Sequence, residues 1–457
     1  MSEATFHTTM QDLRRAESKL SLCHSGKTPA DSHVSRMKSI IDKNTDIGAQ
    51  IEKVKANLPL PDQPPVASGW NSLDQRITGV GSGRLESLHH LVHCHVRIHP
   101  AFRYHEWRKN PDFIVGSTST RIFEGTTQFL KDLEVYMAQF HNDESALFST
   151  LDMMQTSHFG QQSHRMETSS CTITKTIMFA HNDRASFRHC LESLRDQNPG
   201  IANGSHVVFV ALESFYSMDG DEAPIHELLD IANTTLAREN FIFSVDEAHS
   251  NGILGPNGSG FVSHHGLEKE IGLRVHTFGK ALGSNGAVIL AEPTIKFNLI
   301  NYARSVIFST APSFVALAAV KAGYEILASE DGERRRRTLQ ENIRYFHKTF
   351  LGHPKWAAIK KAKIIQIPYE KSWNSEMLQS PIIPLVTPPN ESTELAGHIH
   401  RAKLWANPAM YPIVPKGMDR VRISIHADNT REQIEDVIEV IMEWATYRAE
   451  QARMARL

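Results

Sequence analysis

Two short segments of the sequence carry residues that could do chemistry together. The first is Asp246-Glu-Ala-His249, set directly behind the apolar run Phe241-Ile-Phe-Ser-Val245. A carboxylate at the C-terminal end of a parallel strand faces the crevice where α/β sheets bind ligands. The chain continues Ser250-Asn-Gly-Ile-Leu-Gly-Pro-Asn-Gly-Ser-Gly260, whose glycines allow tight turns and leave room beside a ligand. The second segment is Val275-His-Thr-Phe-Gly-Lys-Ala-Leu-Gly283, where a single lysine stands among small residues after a short β-like stretch. Most lysines are solvated surface charges. One held in a confined place near another cation has a lowered pKa and becomes a usable amine nucleophile. An amine at Lys280 and a carboxylate 34 positions earlier are the minimum that pyridoxal phosphate needs. The lysine forms the covalent link to the aldehyde, and the acid pairs with the ring nitrogen. Asp-Glu-Ala-His also occurs in helicases, but those require a GxxxxGK[ST] phosphate loop, and this sequence has none.

Positioning such residues requires a particular set of elements. Val207-Val-Phe-Val-Ala211, Phe241-Ile-Phe-Ser-Val245 and Gly286-Ala-Val-Ile-Leu290 are apolar runs of strand length. Between the first two, residues 224–238 place Ile225, Leu228, Leu229 and Ala232 at helical spacing. Strand, helix and strand in that order predict a βαβ unit in a mostly parallel sheet buried on both faces. Residues 313–350 read as one long helical region. Ile382-Ile-Pro-Leu-Val386 and Arg420-Val-Arg-Ile-Ser-Ile425 read as strands, and residues 430–448 as a closing helix. The expected organisation is a divergent region 1–111 with a Pro-rich linker, a large domain 112–312, connecting helices 313–349 and a smaller α+β domain 350–457.

Composition narrows the partners. The chain has 457 residues, more than one hydrophobic core usually organises, and its formal charge is 49 − 51 = −2. That balance argues against a nucleic acid or an anionic membrane as the main partner. No apolar run reaches the ~18 residues needed for a membrane span, and the opening residues lack the apolar core of a secretory signal. Cys23, Cys94, Cys171 and Cys190 lack CxxC spacing and read as reduced thiols. The pairs His89/His93 and His90/Cys94 have a spacing that could share a metal, but no acidic or thiol ligands join them in a recognisable pattern, so none is expected there. Gly79-Val-Gly-Ser-Gly83 reads as a glycine loop, since no strand precedes it. Ala455-Arg456-Leu457 resembles the Ser-Lys-Leu peroxisomal address, which makes a peroxisomal location the expectation and a cytoplasmic one the alternative.

Ser217-Met-Asp-Gly-Asp-Glu-Ala-Pro224, Asp246-Glu-Ala-His249 and Thr277-Phe-Gly-Lys280, in that order and spacing, resemble the α-oxoamine synthases of the class-II pyridoxal-phosphate-dependent aminotransferase superfamily. The resemblance is greatest to the fungal type of 8-amino-7-oxononanoate synthase and covers roughly residues 112–446. Phe179-Ala-His-Asn-Asp183, Arg304-Ser-Val-Ile-Phe-Ser-Thr310 and Ile413-Val-Pro-Lys-Gly-Met-Asp-Arg-Val-Arg422 support it. It implies the fold type I of aspartate aminotransferase, pyridoxal 5'-phosphate as cofactor, and a homodimer with its site at the interface. The implied substrates are an amino acid and an acyl-CoA, condensed with loss of carbon dioxide; for the nearest relatives these are alanine and pimeloyl-CoA, a step of biotin synthesis. By the same resemblance Lys280 matches the Schiff-base lysine that also moves the substrate α-proton, and Asp246 the acid at the pyridine nitrogen. His249 and Ser217 match partners of the ring hydroxyl, and Thr277 a phosphate ligand. Ser309 and Thr310 match the phosphate contact from the neighbouring subunit, and Arg422 the grip on the amino-acid carboxylate.

The sequence also departs from that family. Gly116-Ser-Thr-Ser-Thr-Arg121 stands where the family has a stretch with two more glycines, and Leu130 where it has a histidine. Leu151-Asp152 replaces a Gly-aromatic pair beside the phosphate. The next segment is about a dozen residues too short, which leaves His164, with His158 second, as the candidate to stack on the ring. These changes admit two further readings: a paralogue taking a longer or polyketide-derived acyl thioester, and a catalytically impaired partner subunit.

Overall fold

A computed structural model describes residues 116–454 except 118, 150–175, 238–239, 369 and 371–378. His158, His164, Leu151-Asp152, the histidine pairs near residue 90, the 79–83 loop and the last three residues lie outside the described set. Helices of ten residues or more and all strands are numbered in chain order.

The first part contains α1 (Gln128–Phe140), β1 (Ser145–Ser149), α2 (Arg184–Gln197), β2 (Val208–Glu213), α3 (Ile225–Thr235), β3 (Phe241–Asp246), β4 (Leu273–Thr277), β5 (Ala287–Ala291) and α4 (Pro293–Tyr302). The five strands form one sheet in the order β1-β5-β4-β3-β2. β2, β3 and β4 are parallel neighbours, as the strand–helix–strand pattern through α3 implies. β5 runs against both β4 and β1, so the sheet is mixed. Residues 278–286 are too few for a crossover, so the chain can only reverse direction there. The apolar run gave no warning, because β5 is buried at every position, as a central parallel strand would be. α1 starts where the Thr127 side chain accepts from Leu130 N, and α2 where Asp183 accepts from Ser186 N.

The second part contains α5 (Phe314–Leu327), α6 (Glu330–Leu351), β6 (Ile382–Val386), α7 (Ser392–Arg401), β7 (Asn407–Ala409), β8 (Arg420–Ser424) and α8 (Arg431–Met454). The helical region expected over 313–350 consists of two helices. Ser329 caps α6 by accepting from Gly332 N, and Gly332 lies so close to the end of α5 that a Cβ would stand 2.3 Å from Ile326 O. β6, β8 and β7 form an antiparallel sheet with β8 in the middle, and Pro384 is tolerated because β6 is at the edge. Along β8, Val421 and Ile423 enter the core while Arg420 and Arg422 occupy the opposite face. One cluster of buried side chains continues from Phe243 and Val245 of β3 through Leu339 and Phe346 of α6 to Ile383, Val421 and Ile441. Among the described residues no helix is long and apolar enough to cross a membrane.

Candidate active site

The parallel strands β2, β3 and β4 end side by side, with Glu213 opposite Asp246 and Asp246 opposite Val275. Asp246 is the last residue of β3 and is half-buried; its Oδ1 accepts from Ala248 N at 2.8 Å, which starts the turn. Glu247 N donates to Val275 O at 2.8 Å, and Asn251 Nδ2 to Thr277 O at 3.3 Å, so the loop after β3 is fastened to β4. His249 is buried within that loop. Thr277 closes β4, and three residues on, the Lys280 amine donates back to Thr277 Oγ1 at 3.4 Å. The acid and the amine therefore arise from neighbouring, hydrogen-bonded strand ends.

The two adjacent acids have separate lives. Glu247 is fully buried, and its Oε2 accepts from Ser250 Oγ at 3.0 Å, from Val262 N at 3.3 Å and from Phe261 N. Burial would push its carboxyl up. His276 at 3.4 Å, Arg274 and the Ser250 bond outweigh this and hold it below its ordinary value. Gly260 has φ +111°, and a Cβ there would sit 2.2 Å from Glu247 Oε2, so this turn accepts only glycine. Behind it the His141 ring packs against His276 with centroids 4.1 Å apart and planes tilted by 44°, and it bonds Tyr324 Oη at 2.8 Å. Burial holds the His141 imidazole well below its usual pKa and the Tyr324 phenol well above.

Ser217 follows β2 by four residues, and its N–H donates to Glu213 Oε2 at 3.0 Å. Arg422 reaches the same loop from β8, donating from Nη1 to Ser217 O at 2.9 Å. Burial lowers the Arg422 pKa, but a guanidinium stays charged at any physiological pH. Ser217, Asp246, His249, Thr277, Lys280 and Arg422 are therefore gathered at one sheet edge.

Ser309 and Thr310 stand apart. Ser309 Oγ donates to Ser305 O, and Thr310 forms an antiparallel bridge with Thr120. Both line a small cleft with Arg121, Phe148 and Ser149. Ser149 is in register with Ala287, and Ala287 with Thr277, so this cleft lies about two strand spacings, ~10 Å, along the same edge. The altered 116–121 loop is fastened here: Ser117 Oγ donates to Ala311 O, and Ala311 N to Ser119 O at 3.0 Å. Arg121 is buried, with Nη1 donating to Glu134 Oε1 at 2.6 Å and Phe148 O at 2.7 Å. Leu130 is a fully buried core residue of α1.

The motif reading gave no role to three sets of polar residues near this edge. Arg420 is 1% exposed and holds Met218 O and Asp219. Its signal was available, since Arg-Val-Arg puts both guanidiniums on one strand face. His181 bonds Asp221 at 2.8 Å beside the Ser217 loop, which raises its pKa despite opposing burial. The Glu247–His276–His141 cluster depends on long-range packing and left no local signal.

Comparison with known proteins agrees with this arrangement. The model of the family "Aminotransferase class I and II" matches residues 162–441. The aminoacyl transferase sphA of Byssochlamys spectabilis is 35% identical over 74% of this chain and 75% of its own. The 8-amino-7-oxononanoate synthase of Emericella nidulans is 34% identical over 72% and 80%. A serine palmitoyltransferase variant from S. paucimobilis, solved with bound PLP, shares the fold with a TM-score of 0.60 at 22% identity, covering 77% of this chain and 83% of that one. The five-stranded mixed sheet, the motifs at its edge and these likenesses have one reading: the chain belongs to the aminotransferase class I and II family, in its α-oxoamine synthase branch.

Proposed function

We propose that this protein condenses a small amino acid with an acyl-CoA thioester, releasing coenzyme A and carbon dioxide and giving an α-amino ketone. The observation that carries this reading is the placement of Asp246 at the end of β3 and of Lys280 three residues beyond the end of the neighbouring β4, with Arg422 bonded to the Ser217 loop after β2. That donor set fits pyridoxal 5'-phosphate: an amine beside a hydroxyl, a half-buried carboxylate at the next strand end, and a buried imidazole in the loop that follows it. Lys280, Asp246, His249, Ser217 and Thr277 would hold the cofactor. When bound, it supplies an aldehyde to an amine and a protonated ring that accepts the electron pair left at an α-carbon.

The chain's own residues do the rest. Arg422 holds the amino-acid carboxylate through a planar, charged fork. Lys280 takes the α-proton and returns it at the end, acting as general base and then acid. Asp246 would pair with the protonated ring nitrogen, where low dielectric makes one charge worth more than in water. Ser309 and Thr310 lie away from Lys280 of their own chain, next to the exposed side chains Tyr302 and Phe308. That position supports a homodimer in which this segment serves the partner's site.

Alanine and pimeloyl-CoA, giving 8-amino-7-oxononanoate for biotin synthesis, is the substrate pair supported by the synthase of E. nidulans. A second reading, with a longer acyl chain, is supported by the aminoacyl transferase relatives and by the side chains filling the 116–121 loop. The test is carbon dioxide release and product mass with alanine, serine and glycine against pimeloyl-CoA and long-chain acyl-CoAs. Turnover of pimeloyl-CoA supports the first reading, and turnover of long chains alone replaces it with the second. No turnover of any pair by protein that holds its cofactor rejects the condensation.

A further inference from the structure

Two arginines of β8 meet the loop that follows β2, and they meet it differently. Arg420 and Arg422 are two positions apart on a central strand, so both guanidiniums leave the same face, while Val421 and Ile423 are locked in the core behind them. Arg420 is 1% exposed. Its Nη1 donates to Met218 O at 3.1 Å and pairs with the Asp219 carboxylate, and its Nε donates to Met418 O at 3.1 Å. Arg422 makes one bond among the described residues, from Nη1 to Ser217 O. One guanidinium makes three bonds, and its neighbour makes one and keeps most of its donors uncommitted.

The loop they share is the one that carries Ser217. It is pinned from the small sheet at Ser217, Met218, Asp219 and again at Gly220, where a Cβ would lie 2.2 Å from Ile382 O. Arg420 is the only one of these contacts with a charge pair.

We infer that Arg420, through Asp219 and Met218, is a positioning residue: it anchors the Ser217 loop to β8 so that Arg422 is presented, unspent, to the substrate carboxylate. Without the anchor the loop moves relative to β8, and Arg422 either follows Ser217 O or loses it. In both cases the fork is misaimed at the carboxylate while the cofactor residues on β3 and β4 stay in place. This inference rests on the proposed amino-acid condensation.

The test uses Arg420→Lys and Asp219→Asn in the full-length, cofactor-loaded protein, with Arg422→Lys as reference. Lysine keeps the charge toward Asp219 but cannot bridge Met218 O and Met418 O together. Asp219→Asn changes a partly exposed residue and keeps its size, so it decides the matter if Arg420→Lys does not fold. Both variants should raise KM for the amino acid roughly tenfold, since misplacement by about 1 Å costs up to ~100-fold at a reacting centre. KM for the acyl thioester and the borohydride-fixed link at Lys280 should be unchanged, because Lys280, Asp246, His249 and Thr277 do not belong to the Ser217 loop. A lower melting temperature with KM for the amino acid unaltered would make Arg420 a structural tie only and overturn the inference. Equal losses of cofactor and of both KM values would overturn it too, by showing that the loop supports the whole site. Failure of the parent protein to fix a cofactor at Lys280 would reject the underlying reading before any variant is compared.

Discussion

Replacing Gly220 by alanine should damage catalysis and stability together, and the structure sets both magnitudes. Gly220 has φ +67°, and an added Cβ would lie 2.2 Å from the Ile382 carbonyl oxygen. Real Cβ contacts essentially never fall below 3.0 Å, so the loop or β6 must give by at least 0.8 Å. The left-handed backbone alone costs ~1–2 kcal/mol for a residue with a side chain, partly offset by about 0.4–1 kcal/mol from a stiffer unfolded chain. Displacing packed backbone adds ~1–3 kcal/mol, for a net loss of roughly 1–5 kcal/mol by these contributions together. The same displacement carries Ser217 away from the 2.9 Å contact with Arg422, and a shift of about 1 Å next to the reacting atoms costs on the order of 100-fold in kcat/KM. Gly266 is the control: it has a similar φ of +66°, but a Cβ there meets nothing within 4 Å. Gly266→Ala should lose only about 0.5–1 kcal/mol and retain full activity. Urea melts and steady-state kinetics of the pair measure both quantities. If Gly220→Ala kept the activity of Gly266→Ala, the loop would not position the site and the reasoning would be wrong.

Further expectations separate the site from its supports. Asp246→Asn should fold normally and lose kcat by roughly 100-fold or more, as removal of a fixed charge at a reacting centre does; near-parental kcat would remove Asp246 from the mechanism. Glu247→Gln should instead lose about 2–3 kcal/mol of stability, because the buried, charged acceptor of the Ser250 hydroxyl and the Phe261 and Val262 N–H groups becomes a neutral amide; an unchanged urea midpoint would contradict this. Burial lowers His347 to about 4, so the unfolded chain binds its proton first as pH falls. Stability from this group is complete above ~6.5 and declines by about 3 kcal/mol as pH falls toward 4. His347→Leu should flatten that decline in pH-dependent melts, and an identical slope would refute the assignment. If Thr310 serves the partner's site, mixing refolded Lys280→Ala with Thr310→Val should restore about a quarter of parental activity, because half of randomly paired dimers carry one intact site of two; no gain over the unmixed average would place Thr310 in its own chain's site.

Much of this arrangement was written locally in the chain. β3 ends at Asp246 and β4 ends three residues before Lys280 because apolar strand runs stop where glycine-rich turns begin. Sequence patterns of that kind survive folding unchanged. Strand direction did not: β5 looks like any strand buried on both faces, and only its short link to β4 reveals the reversal. The break between α5 and α6 was hidden for a similar reason. Ala328-Ser329 continues a helical composition, and what ends α5 is a serine cap together with Gly332 packed on the preceding turn. The separation of Glu247 from Asp246 was beyond reach, since adjacent acids look alike until His276, Arg274 and the Gly260 turn close around one of them. Arg420 lay in between: the alternation in Arg-Val-Arg assigned its face, but not the Asp219 partner some two hundred residues away.

On the proposed function, the amine of Lys280 is where this protein would hold its cofactor, with the carboxylate of Asp246 at the neighbouring strand end. Purified protein incubated with pyridoxal 5'-phosphate, reduced with borohydride and digested, gives a direct reading by peptide mass. The account requires absorbance near ~420 nm that borohydride bleaches, with the added pyridoxyl mass on the peptide containing Lys280 and none in Lys280→Ala. A colourless protein, or the label on any other lysine, would contradict it.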